Sequence, residues 1–180
     1  IAGVEPLSLH HLYRTMGFLG EPIEAQPVQT GDDAADGAAL PLRTRKDLIE
    51  EALFAQRRDL FTDVELVFFD TTSIYFEGAG GEGIGQRGHS KDHRPDLPQM
   101  VVGMVLDNAG NPLCSTMWPG NTTDVKSLVP VVKRLQAHFG VQRVCVVADR
   151  GMISTETIAQ LEARGWLYIL GVRMRRSYEA

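Results

Sequence analysis

Apolar residues recur along this chain at two spacings, one typical of helices and the other typical of buried strands. Helical spacing predicts four helices, over residues 8–18, 44–60, 125–139 and 154–165. Between the second and third of them, and again towards the end, short apolar runs predict strands. The chain therefore alternates helices with strands over most of its length.

Residues that favour helix ends flank these segments. Ser8 and Ser154 suit N-caps, and Gly140 and Gly165 suit the residue after a helix end. Pro130 falls inside the third helical segment. Because proline removes a helix hydrogen bond, we expect a kink or a restart there.

Five apolar runs predict the strands of one sheet: Val64–Phe69, Met100–Leu106, Pro112–Trp118, Val144–Ala148 and Trp166–Leu170. The first run is apolar at nearly every position, which predicts a central strand covered on both faces. Residues 74–76 could extend a neighbouring edge. The Asn, Asp and Gly residues of 107–111 suit a tight reversal, so the second and third strands form an antiparallel hairpin.

The order of these elements predicts the fold class. A hairpin followed by strand–helix–strand crossovers gives an α/β protein, with a mixed five-stranded sheet and flanking helices. This is the element order of a ribonuclease-H-like fold.

Charge is distributed unevenly, although the net charge is only −5. Residues 21–42 carry five acidic side chains and no Lys or Arg, and they are rich in Gly, Ala and Pro, which is typical of a linker. The rest of the chain has 18 acidic and 18 basic side chains, a balance that neither supports nor excludes nucleic-acid binding. We therefore expect residues 1–20 to be the remnant of an N-terminal helical region, 21–42 an acidic flexible linker, and 43–180 the main domain.

Composition also bears on location and redox chemistry. No apolar run approaches the ~20 residues of a membrane span and the first residues do not resemble a signal peptide, so we expect a soluble cytoplasmic protein without membrane contact. Cys114 and Cys145 lie in apolar runs, which favours buried reduced thiols over a disulfide or a metal site.

Asp70 and Asp149 are the sharpest chemical signal, because each follows an apolar strand expected to be central. Carboxylates at corresponding ends of adjacent strands repel each other unless a cation neutralises them, and such oxygen ligands suit Mg²⁺ or Mn²⁺. The alternative is that each Asp only caps a turn. The pairing on strands expected to be neighbours favours the metal site.

Residues 78–98 form a long loop rich in Gly and in basic side chains, and we expect it to be mobile. Its His89, Lys91 and Arg94 could bind a phosphate backbone, as could Arg150 beside Asp149. The alternatives are a solvated hairpin loop for the first three and pairing with a structural carboxylate for Arg150. Gly83–Gly88 matches GxGxxG, but no helix is predicted after it, so dinucleotide binding is not indicated.

Four blocks of the sequence together resemble the DDE transposases of bacterial insertion sequences, in the branch with a β-rich insertion before the last acid. They are FFDTTS with YFEG (68–78), GHSKDHRPDLPQ (88–99), PGNTTD (119–124) and VADRGM (147–152). Asn121 and Asp124 in the third block are interpreted as caps of the following helix.

The resemblance implies that Asp70 and Asp149 are two acids of an Asp-Asp-Glu set holding two divalent ions, Mg²⁺ or Mn²⁺. It implies metal-dependent DNA strand cleavage and strand transfer, with transposon ends and target DNA as partners and a homo-oligomeric full-length protein. The family's Glu lies on a helix well beyond the fifth strand. Glu156 and Glu162 lie on the helix directly after Asp149, which is not where the family's Glu lies, and Glu179 is too near the end of the chain. The third acid is therefore left unassigned.

The chain is accordingly expected to be a fragment, truncated at both ends and inactive in DNA cleavage by itself. Two alternatives stay open: a ribonuclease-H-like nuclease that cuts without joining, and an inactive remnant of a transposase.

Overall fold

The computed structural model describes residues 8–23, 42–57, 66–89, 91, 93–141, 145–152 and 154–171. The elements in chain order are α1 (Leu9–Leu19), α2 (Arg45–Arg57), β1 (Leu66–Tyr75), β2 (Gln99–Asp107), β3 (Pro112–Pro119), α3 (Asp124–Phe139), β4 (Cys145–Ala148), α4 (Thr155–Ala163) and β5 (Leu167–Leu170). Each corresponds to a predicted helix or strand, with bounds that differ by a few residues. None of the described helices is long and apolar enough to cross a lipid bilayer.

The five strands form one mixed sheet in the order β3-β2-β1-β4-β5. β1, β2 and β3 pair antiparallel, whereas β1, β4 and β5 run parallel to one another. α3 leads into β4, and α4 joins β4 to β5. Helices of this kind provide the crossover connection that parallel strands require. This topology confirms the predicted ribonuclease-H-like fold.

Only one face of the sheet is covered by the described helices. Along β1, buried and exposed residues alternate, so that Val67 and Phe69 are buried while Phe68 and Ile74 are 41% and 45% exposed. The prediction that this strand is covered on both faces is therefore wrong for the part of the chain described. Aromatic and β-branched residues favour strands whether one face of the sheet is covered or both faces are. An apolar run therefore predicts a strand but does not show how many of its faces are covered.

α3 supplies much of the core and continues through Pro130 as one helix, which excludes a restart there and leaves the kink as the expected alternative. Leu128, Val132 and Leu135 on its inner face are at most 1% exposed. Gly140 ends the helix in the left-handed conformation, with φ 62°, as predicted for a C-terminal glycine. At α4, Ser154 Oγ accepts the Thr157 N–H at 2.9 Å, which confirms the predicted cap.

Two glycines allow close packing on the sheet. A Cβ on Gly103 would lie 2.8 Å from the Trp118 ring and 2.9 Å from the Phe69 ring, so glycine makes room for both aromatic side chains. A Cβ on Gly120 would overlap the carbonyl oxygens of Gln86 and Gln99. These two residues pair their backbones at 2.9 and 3.0 Å, which ties the loop before β2 to the first residue of β2.

Replacing Gly120 by Ala is therefore expected to destabilise the fold by about 3 kcal/mol, because backbone atoms must move to admit the methyl group. Gly78→Ala is the matched control, since nothing lies within 4 Å of a Cβ at that position. Urea unfolding of both variants measures the difference. Equal free energies of unfolding would show that the turn relaxes without cost.

A buried ion-pair network joins α2, β3 and α3. Arg134 of α3, 7% exposed, donates to Asp47 Oδ1 at 2.8 Å and to Glu50 Oε2 at 2.9 Å, both on α2. It also donates to Ser115 O at 3.0 Å in β3. Phe54 of α2 packs edge-on against Phe139 of α3, with ring centroids 5.4 Å apart. Charge pairing and aromatic packing together fix α2 on the sheet.

Asp47 makes this network sensitive to acid. Burial alone would raise its pKa, but the Thr44 N–H, Lys46 and Arg134 outweigh burial and hold the pKa below the ordinary value of 3.8. Because the pKa of Asp47 is lower in the folded chain than in the unfolded chain, its ionised carboxylate stabilises the fold at pH values above the pKa of the unfolded chain. This stabilisation is lost as the pH falls through the pKa of the folded chain. We expect Asp47→Asn to flatten the loss of stability between about pH 5 and pH 3. Unfolding free energies across that range test this, and an unchanged slope would contradict it.

α1 is tied to the beginning of α2 across residues 24–41, which lie outside the described part of the chain. The Ile23 N–H donates to Arg43 O at 3.0 Å, and Arg45 pairs with Glu21 at 2.8 Å. Arg45 also lies over the Phe18 ring. The two ends of the acidic segment therefore lie side by side.

The two cysteines are both free thiols. Cys114 is 2% exposed, and burial raises the pKa of its thiol to about 12. This confirms the interpretation of Cys114 as a buried reduced residue, while Cys145 is only partly buried.

Candidate active site

The parallel pairing of β1 with β4 brings Asp70 and Asp149 together. The last residue pair in that register is Phe69 with Ala148, and Asp70 and Asp149 are the next residues along the chain. The two residues, hereafter the acid pair, therefore lie next to each other where the pairing of β1 with β4 ends, as expected from the sequence.

Asp70 lies within β1 and does not end it. The antiparallel pairing with β2 continues beyond it, with Asp70 opposite Met104, up to Tyr75. The prediction that Asp70 terminates its strand is therefore wrong; what ends there is the pairing with β4. Residues 74–75, predicted as a separate edge, belong to the same strand.

Both carboxylates of the acid pair are on exposed residues. Asp70 Oδ1 accepts the backbone N–H of Thr71 at 2.8 Å, which orients that carboxylate. Asp149 is followed by a single 3₁₀ turn, Arg150–Met152, in which the Met152 N–H donates to Asp149 O at 3.0 Å. The turn leads the chain away from the sheet and leaves the Asp149 side chain accessible.

A third carboxylate, that of Asp124, lies beside Asp149. A Cβ on Gly151 would be 3.5 Å from Asp124 Oδ2 and 3.9 Å from Asp149 Oδ2, so the two carboxylates flank this glycine. The interpretation of Asp124 as a cap is wrong. Thr123 occupies the N-cap position without a side-chain cap, and Asp124 Oδ1 accepts the hydroxyl of Thr71 at 2.7 Å instead.

The acid pair has the chemistry of a site for hard divalent cations. Carboxylate oxygens are the ligands that Mg²⁺ and Mn²⁺ prefer, and their exposure leaves room for water ligands. Within the described residues, no three His, Cys, Asp or Glu side chains are placed to hold one metal ion together. The two acids thus fit part of a ligand set.

The basic residues predicted to bind DNA differ in the contacts that they make within the chain. Lys91 Nζ donates to the backbone oxygen of Thr71 and lies 3.6 Å from Asp124 Oδ2. Arg94 pairs with Asp96 at 2.9 Å and lies over the Tyr75 ring. His89 is exposed on the same loop.

The loop that carries these residues makes hydrogen bonds to β1 and to the turn after β3. The Lys91 N–H donates to Ser73 Oγ at 3.0 Å, and Gly120 N donates to Ile84 O at 3.2 Å. Residues 82–84 form a turn and Gln86 forms an isolated bridge with Gln99, and no helix follows Gly83–Gly88 among the described residues of this loop.

The remaining residues considered from the sequence lie nearby. Arg150 is exposed in the turn directly after Asp149. Glu156 is in the first turn of α4, and Glu162, at the other end of that helix, accepts the Tyr168 hydroxyl at 2.7 Å. No third acid is assigned from either residue.

Thr71 and Asp124 were not identified as site residues from the sequence. A signal for Thr71 was present, since it occupies an inward position of β1, between Phe69 and Ser73, and is only 3% exposed. A polar residue at a buried strand position needs a hydrogen-bond partner. The sequence did not reveal that this partner would be the first residue of α3.

Solved structures show a general likeness to this chain at low identity. A structure described as "Mos1 transposase paired-end complex with left transposon end" matches with 16% identity, covering 88% of this chain and 48% of that one, at a TM-score of 0.41. "Crystal structure of the Mos1 mariner paired end complex with Mn" matches with 14% identity over 90% and 50% of the two chains, at a TM-score of 0.38. The chain thus spans about half the length of these proteins. No curated protein matches it.

A family model described as "Transposase DDE domain" matches residues 62–180, which include the whole sheet and both members of the acid pair. This match covers more than half of the chain, and it agrees with the sheet order and with two acids that follow the last residue pair of β1 with β4. The chain belongs to the transposase DDE domain family.

Proposed function

We propose that this domain cleaves DNA strands and joins them to target DNA, using one or two divalent ions, Mg²⁺ or Mn²⁺, held by Asp70 and Asp149. The observation that carries the proposal is the register of β1 with β4, in which Phe69 pairs with Ala148 immediately before the two acids. The bound ions would supply Lewis-acid stabilisation of the attacking and leaving oxygens at a phosphodiester.

The chain's own residues position these groups. The Thr71 N–H holds the Asp70 carboxylate, and Gly151 leaves the space beside Asp149 open. Such fixed placement matters because phosphoryl transfer depends on alignment of the reacting atoms.

DNA would approach the acid pair along its basic surroundings. We propose His89, Lys91, Arg94 and Arg150 as phosphate contacts. Arg150 and His89 are exposed, and the Lys91 side chain is still 39% exposed beside Asp124, so these three residues could contact a phosphate without losing a partner. Arg94 must exchange Asp96 for a phosphate, so its contribution to affinity is the difference between two ion pairs.

The proposed organisation of a longer protein is an N-terminal helical region, an acidic linker over 21–42 and the catalytic domain from residue 43. We propose that it works as a homo-oligomer on transposon ends and target DNA. Light scattering of the protein with and without DNA measures this assembly.

Strand transfer distinguishes the proposed transposase from a nuclease that only hydrolyses DNA. A longer protein that includes this chain and a helix-borne Glu after β5 is incubated with Mn²⁺, a supercoiled plasmid, and labelled DNA from both flanks of its own coding sequence. Covalent joining of label to plasmid is expected with this longer protein, and it should be absent with Asp149→Asn and with the 180-residue chain alone, in which no third acid is assigned. Metal-dependent nicking without joined product would support the nuclease, and no metal-dependent product at all would support the inactive remnant.

A further inference from the structure

Three residues form a closed set of contacts next to the acid pair: Thr71, Lys91 and Asp124, hereafter the positioning cluster. The Thr71 hydroxyl donates to Asp124 Oδ1 at 2.7 Å and accepts from Lys91 Nζ at 3.1 Å. Lys91 Nζ also donates to the backbone oxygen of Thr71 and lies 3.6 Å from Asp124 Oδ2. Each member thus contacts the other two.

The cluster joins three separate parts of the chain at one point. Thr71 is in β1, Lys91 is in the loop before β2, and Asp124 is the first residue of α3. The Lys91 backbone is fixed as well, through its N–H to Ser73 Oγ. Lys91 is therefore held at two residues of β1, by its backbone at Ser73 and by its side chain at Thr71.

The cluster is connected to both acids. Thr71 donates its backbone N–H to Asp70 Oδ1, while its hydroxyl and backbone oxygen are held by Asp124 and Lys91. Asp124 in turn flanks Gly151 together with Asp149. A change in the cluster would thus alter the direction of the Asp70 carboxylate and the charge next to Asp149.

We propose that Lys91 and Asp124 are positioning residues for the acid pair and act through Thr71. Lys91 balances the charge of Asp124, which would otherwise add a third negative charge beside Asp149. Thr71 is held by Asp124 and by Lys91, so its backbone N–H keeps the Asp70 carboxylate in one orientation. This inference rests on the proposed function, because it assumes that Asp70 and Asp149 bind the metal ion.

The effect of Lys91 on metal affinity separates positioning from simple electrostatics. Removing a nearby positive charge should strengthen the binding of a cation by Coulomb's law. If Lys91 instead orients a ligand, Lys91→Met should weaken binding, since outer contacts of metal ligands are typically worth about 10–100-fold in affinity. The two accounts predict opposite signs.

The test is a Mn²⁺ titration of the 180-residue chain by calorimetry, with circular dichroism to verify folding of each variant. Lys91→Met and Thr71→Val should each raise the Kd by about tenfold or more, whereas Thr71→Ser, which keeps the hydroxyl, should stay within about twofold of the unmodified chain. Arg134→Met is the control for general destabilisation, because its network lies on α2, β3 and α3 away from the acids. It should leave the Kd unchanged while the chain is folded.

Tighter Mn²⁺ binding by Lys91→Met, or an unchanged Kd in Thr71→Val, would overturn the positioning role. Failure of the proposed function would look different, since the unmodified chain would then bind no Mn²⁺, or Asp70→Asn would bind it as well as the unmodified chain does.

Discussion

Asp149→Asn is expected to abolish Mn²⁺ binding to this chain, and Asp70→Asn is expected to do the same. Each change keeps the shape of the side chain but removes one of two anionic ligands, and a neutral amide oxygen holds a hard divalent ion poorly. In a protein that performs the proposed strand cleavage, the rate should fall by at least about 100-fold, because a misplaced metal ion disturbs the alignment of the reacting atoms. Calorimetric titration and a cleavage assay in the same buffer measure the two effects.

Glu156→Gln is the matched control for these variants. Glu156 is an exposed carboxylate in the first turn of α4, close in sequence to Asp149 but on a different element. Its replacement should leave both the Mn²⁺ affinity and the rate unchanged. Retained binding in Asp149→Asn, or lost binding in Glu156→Gln, would mean that the ion is held elsewhere.

Arg134→Met is expected to lower the free energy of unfolding by about 2–3 kcal/mol, through the lost hydrogen bonds to charged groups. Methionine keeps much of the length of the side chain but leaves Lys46, 3.0 Å from a carboxylate oxygen of Asp47 and of Glu50, as the remaining cation beside these two acids. Their side chains are only 12% and 18% exposed, so water cannot fully replace the lost partner. Urea or guanidinium denaturation at neutral pH measures the change.

Lys126→Met, on the exposed side of the same helix, controls for loss of a positive charge from α3 and should change stability by less than about 0.5 kcal/mol. Adding Asp47→Asn to Arg134→Met should recover part of the loss, because one buried negative charge is then removed. An Arg134→Met variant as stable as the unmodified chain would show that the carboxylates reach water in the folded state.

The sequence by itself determined which segments form helices and strands, where several of them end, and the order in which they occur. Ser154 and Gly140 could be identified as helix ends because capping depends on side chains and backbone conformation within a few residues. The placement of Asp70 and Asp149 next to each other could also be predicted, because parallel neighbours present corresponding ends at the same side of a sheet. Membership of the transposase DDE domain family was visible in four short blocks.

Only the tertiary structure decided what each element packs against. Asp124 accepts the hydroxyl of Thr71, 53 positions away, and Arg134 pairs with Asp47, 87 positions away. Local patterns carry no information about such partners, and for this reason Asp124 was interpreted as a helix cap. The exposure of Phe68 and Ile74 among the described residues of β1, and the uninterrupted helix through Pro130, likewise depend on tertiary packing. Whether a strand face is covered, or a helix tolerates a missing hydrogen bond, depends on the neighbours that the folded chain places there.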